Sequence, residues 1–140
     1  MKRKLLIWTG LVTTVGALAI SMVPTVLAQM APPTESKGVA AKVIGSLPLA
    51  PEFDAIEGRQ LRMRVVTLAP GGVFAVHNHK DRPSVEYVLK GKATEFKGDA
   101  TKAYAEGDAV LADKNTTHWW RNDSQEPTIF VAVDVFNPPK

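Results

Sequence analysis

The sequence predicts an all-β domain built as a small barrel or sandwich. Two observations carry this. Between Leu61 and Phe136, apolar and polar residues alternate in short runs, the period-2 pattern of half-buried strands. Turn residues divide those runs at intervals of roughly 8–12 residues, the spacing of sandwiches and barrels.

The elements follow in order. Ala31–Ser36 (APPTES) reads as an extended or flexible linker, and a short helix is expected somewhere in Ser36–Ile44. Leu61–Ala69 is the first strand, with Leu61, Met63 and Val65 on one side and Arg62 and Arg64 on the other, expected as a solvated face. Pro70-Gly71-Gly72 is a turn, Val73–His79 a second strand and Lys80–Pro83 a loop. Ser84–Lys90 is a third strand, closed by Gly91. Ala93–Lys97 and Lys102–Tyr104 flank the Gly98-Asp99 turn. Gly107-Asp108 opens a strand at Ala109–Ala112, and Asp113–Asn115 turns into Thr117–Arg121. Ile129–Phe136 is last, with Ile129, Val131, Val133 and Val135 sharing a face.

The N-terminus has a different character. Lys2, Arg3 and Lys4 precede an uncharged run from Leu5 to Val23; Pro24 then interrupts it and Val26-Leu27-Ala28 follows. This is the order of a secretory signal, cut between Ala28 and Gln29. The alternative is an uncleaved anchor helix, since the run approaches the ~20 residues that span a bilayer. Either way the membrane is met only through this segment, and the domain is expected outside the cytoplasm, periplasmic or extracellular. The expected organisation is signal 1–28, extension or linker 29–58, and β-domain 59–138.

Removing the signal leaves 14 basic and 14 acidic residues, interspersed, in about 112 residues. That balance excludes the basic face of a nucleic-acid binder. The chain has no cysteine, so no disulfide supports it. Stability must come from a closed sheet core, a partner subunit or a bound metal.

The chain has three histidines. His77 and His79 lie two apart on one strand and so share a face, while His118 can approach from a facing strand. Each imidazole can bring a nitrogen to a shared ion. Trp120 shares the face of His118, so its ring would line the same cavity; Phe74 and Phe130 would shape it. Trp119 points the other way. Tyr87 and Leu89 face outward and suit a covering segment or a second subunit.

These positions resemble the cupin family. Gly71 is followed by five residues and then His77-Asn78-His79, and Gly91 closes that segment. Gly107 is followed by five residues, then Asp113-Lys114-Asn115, two residues, His118, three residues and Asn122. Asp113 and Asn115 replace the family's proline and glycine, and both suit a turn. The resemblance spans about residues 60–136 and implies a small jelly-roll barrel (a double-stranded β-helix) that pairs into homodimers. It also implies a divalent transition metal held by His77, His79 and His118. Counting back from Gly91 puts Ser84 where the family has a glutamate. Glu86, two residues on, faces the same way: a shifted ligand or active-site base, or a carboxylate paired with Arg82. Glu95 and Asp134 are more distant candidates, expected to be solvated or at an edge.

Imidazole suits Zn, Cu, Fe and Ni, while a carboxylate and water tilt toward Mn or Fe. The expected function is a small exported metalloenzyme, dioxygenase- or isomerase-like, acting on a small oxygen-bearing organic substrate. Glu86 is the candidate acid–base group. The alternative is a non-catalytic cup that captures a small ligand or guards a metal; a structural dimer with a residual site is third.

Overall fold

The computed structural model describes residues 30–54 and 56–138, so the expected signal segment and cleavage site lie outside the described residues. These residues form eight strands: β1 Lys37–Pro48, β2 Gln60–Asn78, β3 Ser84–Lys90, β4 Lys92–Lys97, β5 Ala100–Ala105, β6 Ala109–Ala112, β7 Thr117–Arg121 and β8 Thr128–Phe136. The all-β expectation holds, with the boundaries of β3, β6 and β7 as expected. No helix among the described residues is long and apolar enough to cross a membrane.

One sheet runs β5-β4-β7-β2-β8-β3-β6, with β1 added beside β2. β2 explains how it curls. Its first half, Gln60–Leu68, pairs antiparallel with β8, and its second half, Val73–Asn78, with β7. The strand therefore belongs to two half-sheets and bends between them. The bend is Pro70-Gly71-Gly72, read from sequence as a turn that separates two strands; the ladder instead continues through it. Gly71 supplies a φ of 67°. At Gly72 a Cβ would stand 2.7 Å from the Ala69 carbonyl oxygen. Asn122 fixes the bend by backbone bonds to Gly71 and Gly72, and its side-chain amide donates to the carbonyls of Leu68 and Glu126.

The expected helix in Ser36–Ile44 is strand instead. β1 pairs with β2 from Lys37↔Val73 to Pro48↔Gln60. Local alanines favour helix only weakly, and the open edge of β2 offers a whole ladder of hydrogen bonds.

The core lies inside the curl. Val66 and Leu68 of β2, Val88 of β3 and Phe130 of β8 pack against Ala93, Tyr104, Val110 and Trp120. The period-2 reading of β2 holds, but its faces are reversed at the start of the strand. Leu61 and Met63 are outward and about 40% exposed, while Arg62 and Arg64 turn inward. The cause is Asp134 of β8, directly opposite Arg62 in register and 1% exposed. Arg62 reaches it with two hydrogen bonds (3.0 and 2.7 Å), and Arg64 with one (3.0 Å). A buried carboxylate makes that end of the interior polar, which alternation along β2 alone cannot reveal.

Candidate metal centre

His77 lies in β2 directly across from His118 in β7, and His79 stands one residue past the end of β2. Strand parity turns His77 and His79 to one side, and antiparallel pairing delivers His118 between them. His79 and His118 are fully buried. The Nε2 of His118 lies 3.0 Å from the Nε2 of His79 and 3.0 Å from that of His77.

The other ring nitrogens decide what this convergence means. His77 Nδ1 lies 2.8 Å from the Ala75 carbonyl, His79 Nδ1 3.2 Å from the Arg82 carbonyl, and His118 Nδ1 against the Glu95 carboxylate. Each of these partners is an oxygen acceptor, so each Nδ1 carries the ring proton and donates. The three Nε2 atoms are then turned toward one another. Burial pushes both His77 and His79 down from the ordinary histidine value to about 4, so both rings are neutral at pH 7. Neutral imidazoles with their far nitrogens anchored are the donor set that a transition metal needs. Two nitrogens 3.0 Å apart, each at the usual ~2.0–2.1 Å from a metal, subtend about 95°. That is near the right angle of neighbouring octahedral positions and tighter than a tetrahedral angle. Each of these two nitrogen pairs therefore suits neighbouring positions on one metal ion.

Glu86 is buried on β3 and faces inward as its parity predicts, but it stands outside the group of three converging ligand atoms. Ser84 links it to that group. The Ser84 hydroxyl donates to Glu86 Oε1 (3.1 Å) and lies 3.2 Å from His79 Nδ1, from which it can accept. Burial pushes the Glu86 carboxyl above its ordinary value, against the pull of His118, Ser84, Arg64 and Arg82. Trp120 is buried beside His118, its ring 5.6 Å away and nearly perpendicular. Trp119 is buried on the opposite side, stacked on Phe96 at 3.8 Å.

Two carboxylates correct the sequence reading. Glu95 and Asp134 are neither solvated nor edge-placed; both are buried. Glu95 projects inward from β4 opposite Trp120 and anchors His118. Burial raises its carboxyl, but hydrogen bonds from His118 and Tyr104 outweigh that, and the balance is lowered. A glutamate at an inward position of KATEFK, between Ala93 and Lys97, was the available signal. Arg62 and Arg64, expected on a solvated face, close over Asp134 beside the site, and Arg82 joins them at 3.9 Å.

Comparison with protein families decides the kinship: the Cupin domain family matches residues 64–135, about half of the chain and nearly all of the β-domain. The chain belongs to the cupin family. A comparison with curated proteins finds no significant match. Among solved structures, a Klebsiella pneumoniae conserved protein with a double-stranded β-helix domain is similar at 21% identity and a TM-score of 0.58. The match covers 73% of this chain and 80% of that one. The Thermus thermophilus protein TT1209 is 27% identical with a TM-score of 0.51, covering 69% and 86%. KdgF from a Halomonas species is 17% identical with a TM-score of 0.55, covering 71% and 86%. These neighbours carry the jelly-roll fold. In this cupin the family's second motif ends on Asn122, the residue that fixes the bend of β2, and its glutamate position holds the Ser84 bridge.

Proposed function

We propose that this cupin is an exported metalloenzyme acting on a small oxygen-bearing organic molecule, its metal held by His77, His79 and His118. The observation that carries the reading is the convergence of three histidine Nε2 atoms beside a cavity that Glu86 also lines. A divalent iron, manganese, zinc, nickel or copper ion there would polarise a bound oxygen or lower the pKa of a bound water.

The chain's own residues supply the rest. Ala75, Arg82 and Glu95 hold the three rings by their Nδ1 protons. Trp120 and Phe130 exclude water from one side of the cavity. Glu86, its carboxyl raised above its ordinary value by burial, is placed to move a proton to or from a molecule beside the imidazoles. Ser84 holds that carboxyl in place. Dioxygenase- or isomerase-type chemistry suits a metal with open positions and a neighbouring acid–base group.

Two further parts of the reading concern assembly and location. Val85 and Leu111 are register partners on the outer face of β3 and β6, and with Tyr87 and Leu89 they form an exposed apolar face. A second copy of the chain would cover it. The N-terminal segment would direct export or tether the domain to a membrane.

The test is turnover of a panel of small oxo and hydroxy compounds, followed by oxygen uptake and NMR. Glu86→Gln is expected to keep its metal and lose turnover. Turnover equal to the parent, or no turnover by a metal-loaded parent, would favour a non-catalytic binding cup.

A further inference from the structure

A small cavity opens beside His77, with about 20 Å³ of interior space and a mouth to solvent. That is far below the roughly 300–1,000 Å³ of ordinary ligand pockets, so a ligand would sit partly in the mouth. Phe74, Trp120 and Phe130 give it apolar walls, and Arg64, Arg82 and Glu86 line it with charge. These walls suit only a molecule with a very short carbon frame.

The charges around it do not balance. Arg62, Arg64 and Arg82 share one buried carboxylate, Asp134. Arg82 reaches it only at 3.9 Å, beyond hydrogen-bond distance. Burial, followed by the like charge of Arg64, pushes the Arg82 guanidinium below its usual value. Glu86 lines the same cavity, so three guanidiniums stand near two carboxyls. A cation held by the three imidazoles would add positive charge. A second sign of a missing anion lies on Arg64. Its Nε is buried and has no hydrogen-bond partner. Buried donors are nearly always satisfied, and an orphan costs about 1–3 kcal/mol.

We propose that the cavity binds a small organic carboxylate, clamped by Arg64 and Arg82, with a neighbouring hydroxyl or keto oxygen toward His77, His79 and His118. Guanidinium forks match the planar two-oxygen geometry of a carboxylate. The aromatic walls would enclose the carbon frame. The clamp rests on the arginines alone; the position of the second oxygen rests on the metal reading above.

The test is calorimetric titration of the full chain, metal-loaded and metal-free, with lactate and with lactamide, which has the same frame without the charge. Lactate is expected to bind at least tenfold more tightly than lactamide to the metal-loaded protein. Arg82→Gln is expected to weaken lactate at least tenfold while bound metal stays unchanged. That variant spares the Arg82 carbonyl that holds His79 and breaks no hydrogen bond to Asp134, so it should fold. Arg64→Gln should behave alike where it folds. Equal binding of the two ligands, no lactate binding to either form, or an unaffected Arg82→Gln would overturn the clamp. If metal never binds, yet the metal-free protein prefers lactate and loses that preference in Arg82→Gln, the clamp stands and the metal reading falls.

Discussion

Replacing Asp134 by alanine should be among the most damaging single changes in the domain. The Asp134 side chain is fully buried and accepts three hydrogen bonds, two from Arg62 and one from Arg64. The arginine side chains are themselves only 14% and 12% exposed, with Arg82 at 23%. Removing the carboxylate leaves guanidiniums crowded together with no counter-charge. Breaking a buried ion pair by deleting one partner costs about 3–5 kcal/mol. Some water reaches the arginines, so the lower end applies, ~3 kcal/mol. For a domain of this size that lowers the thermal midpoint by roughly 10 °C or more. The control is Asp123→Ala, which breaks the exposed pair with Arg121, where the Asp123 side chain is 60% exposed. Exposed pairs contribute at most about 1 kcal/mol. Urea denaturation of both variants beside the parent decides. A loss below ~1 kcal/mol for Asp134→Ala, or a loss no larger than that of Asp123→Ala, would refute the view that Asp134 holds a buried cationic cluster.

Other predictions follow from the same geometry. Glu95→Ala removes the anchor of His118 and should weaken metal binding about 10–100-fold, measured by competition with a chelator, with the fold kept. The metal-free protein should lose stability as pH falls from the ordinary histidine value near 6.5 toward 4. Folded His77 and His79 titrate at about 4, so between these limits the unfolded chain binds more protons and stability rises with pH. Urea midpoints at about pH 5 and about pH 7.5 should differ in the parent and converge in a His77→Gln/His79→Gln variant. Gly91→Ala should be strongly destabilising, because φ is +80° and the added Cβ would lie 2.6 Å from the Pro127 carbonyl oxygen. Gly98→Ala, at φ +58° with nothing near, should cost only about 1 kcal/mol by thermal denaturation.

The parts of this cupin legible in the sequence are those set by local pattern. The alternation in β3 turned Glu86 inward and Tyr87 and Leu89 outward, and the spacing of Gly71, His77, His79, His118 and Asn122 brought the histidines together. In β8 the apolar face Ile129, Val131, Val133 and Val135 is only half-buried, and Phe130 lies on the buried one. What escaped depends on contacts between distant residues. Arg62 and Arg64 look solvated until Asp134, some seventy residues on, is seen across the ladder. Glu95 looks like an edge carboxylate until β4 pairs with β7 and sets it against His118. β1 looks like a helix until β2 offers it an edge. Ser84 reads as a lost ligand from spacing alone; only its geometry shows the bridge from His79 to Glu86.

The central claim is that three histidines hold a metal. The most direct measurement is elemental analysis of the protein purified without chelators, beside a His77→Ala/His79→Ala variant prepared in the same way. The account predicts near-stoichiometric transition metal in the parent and none in the variant. Equal metal in both, or none in the parent even after incubation with iron, manganese, zinc, nickel or copper, would contradict it.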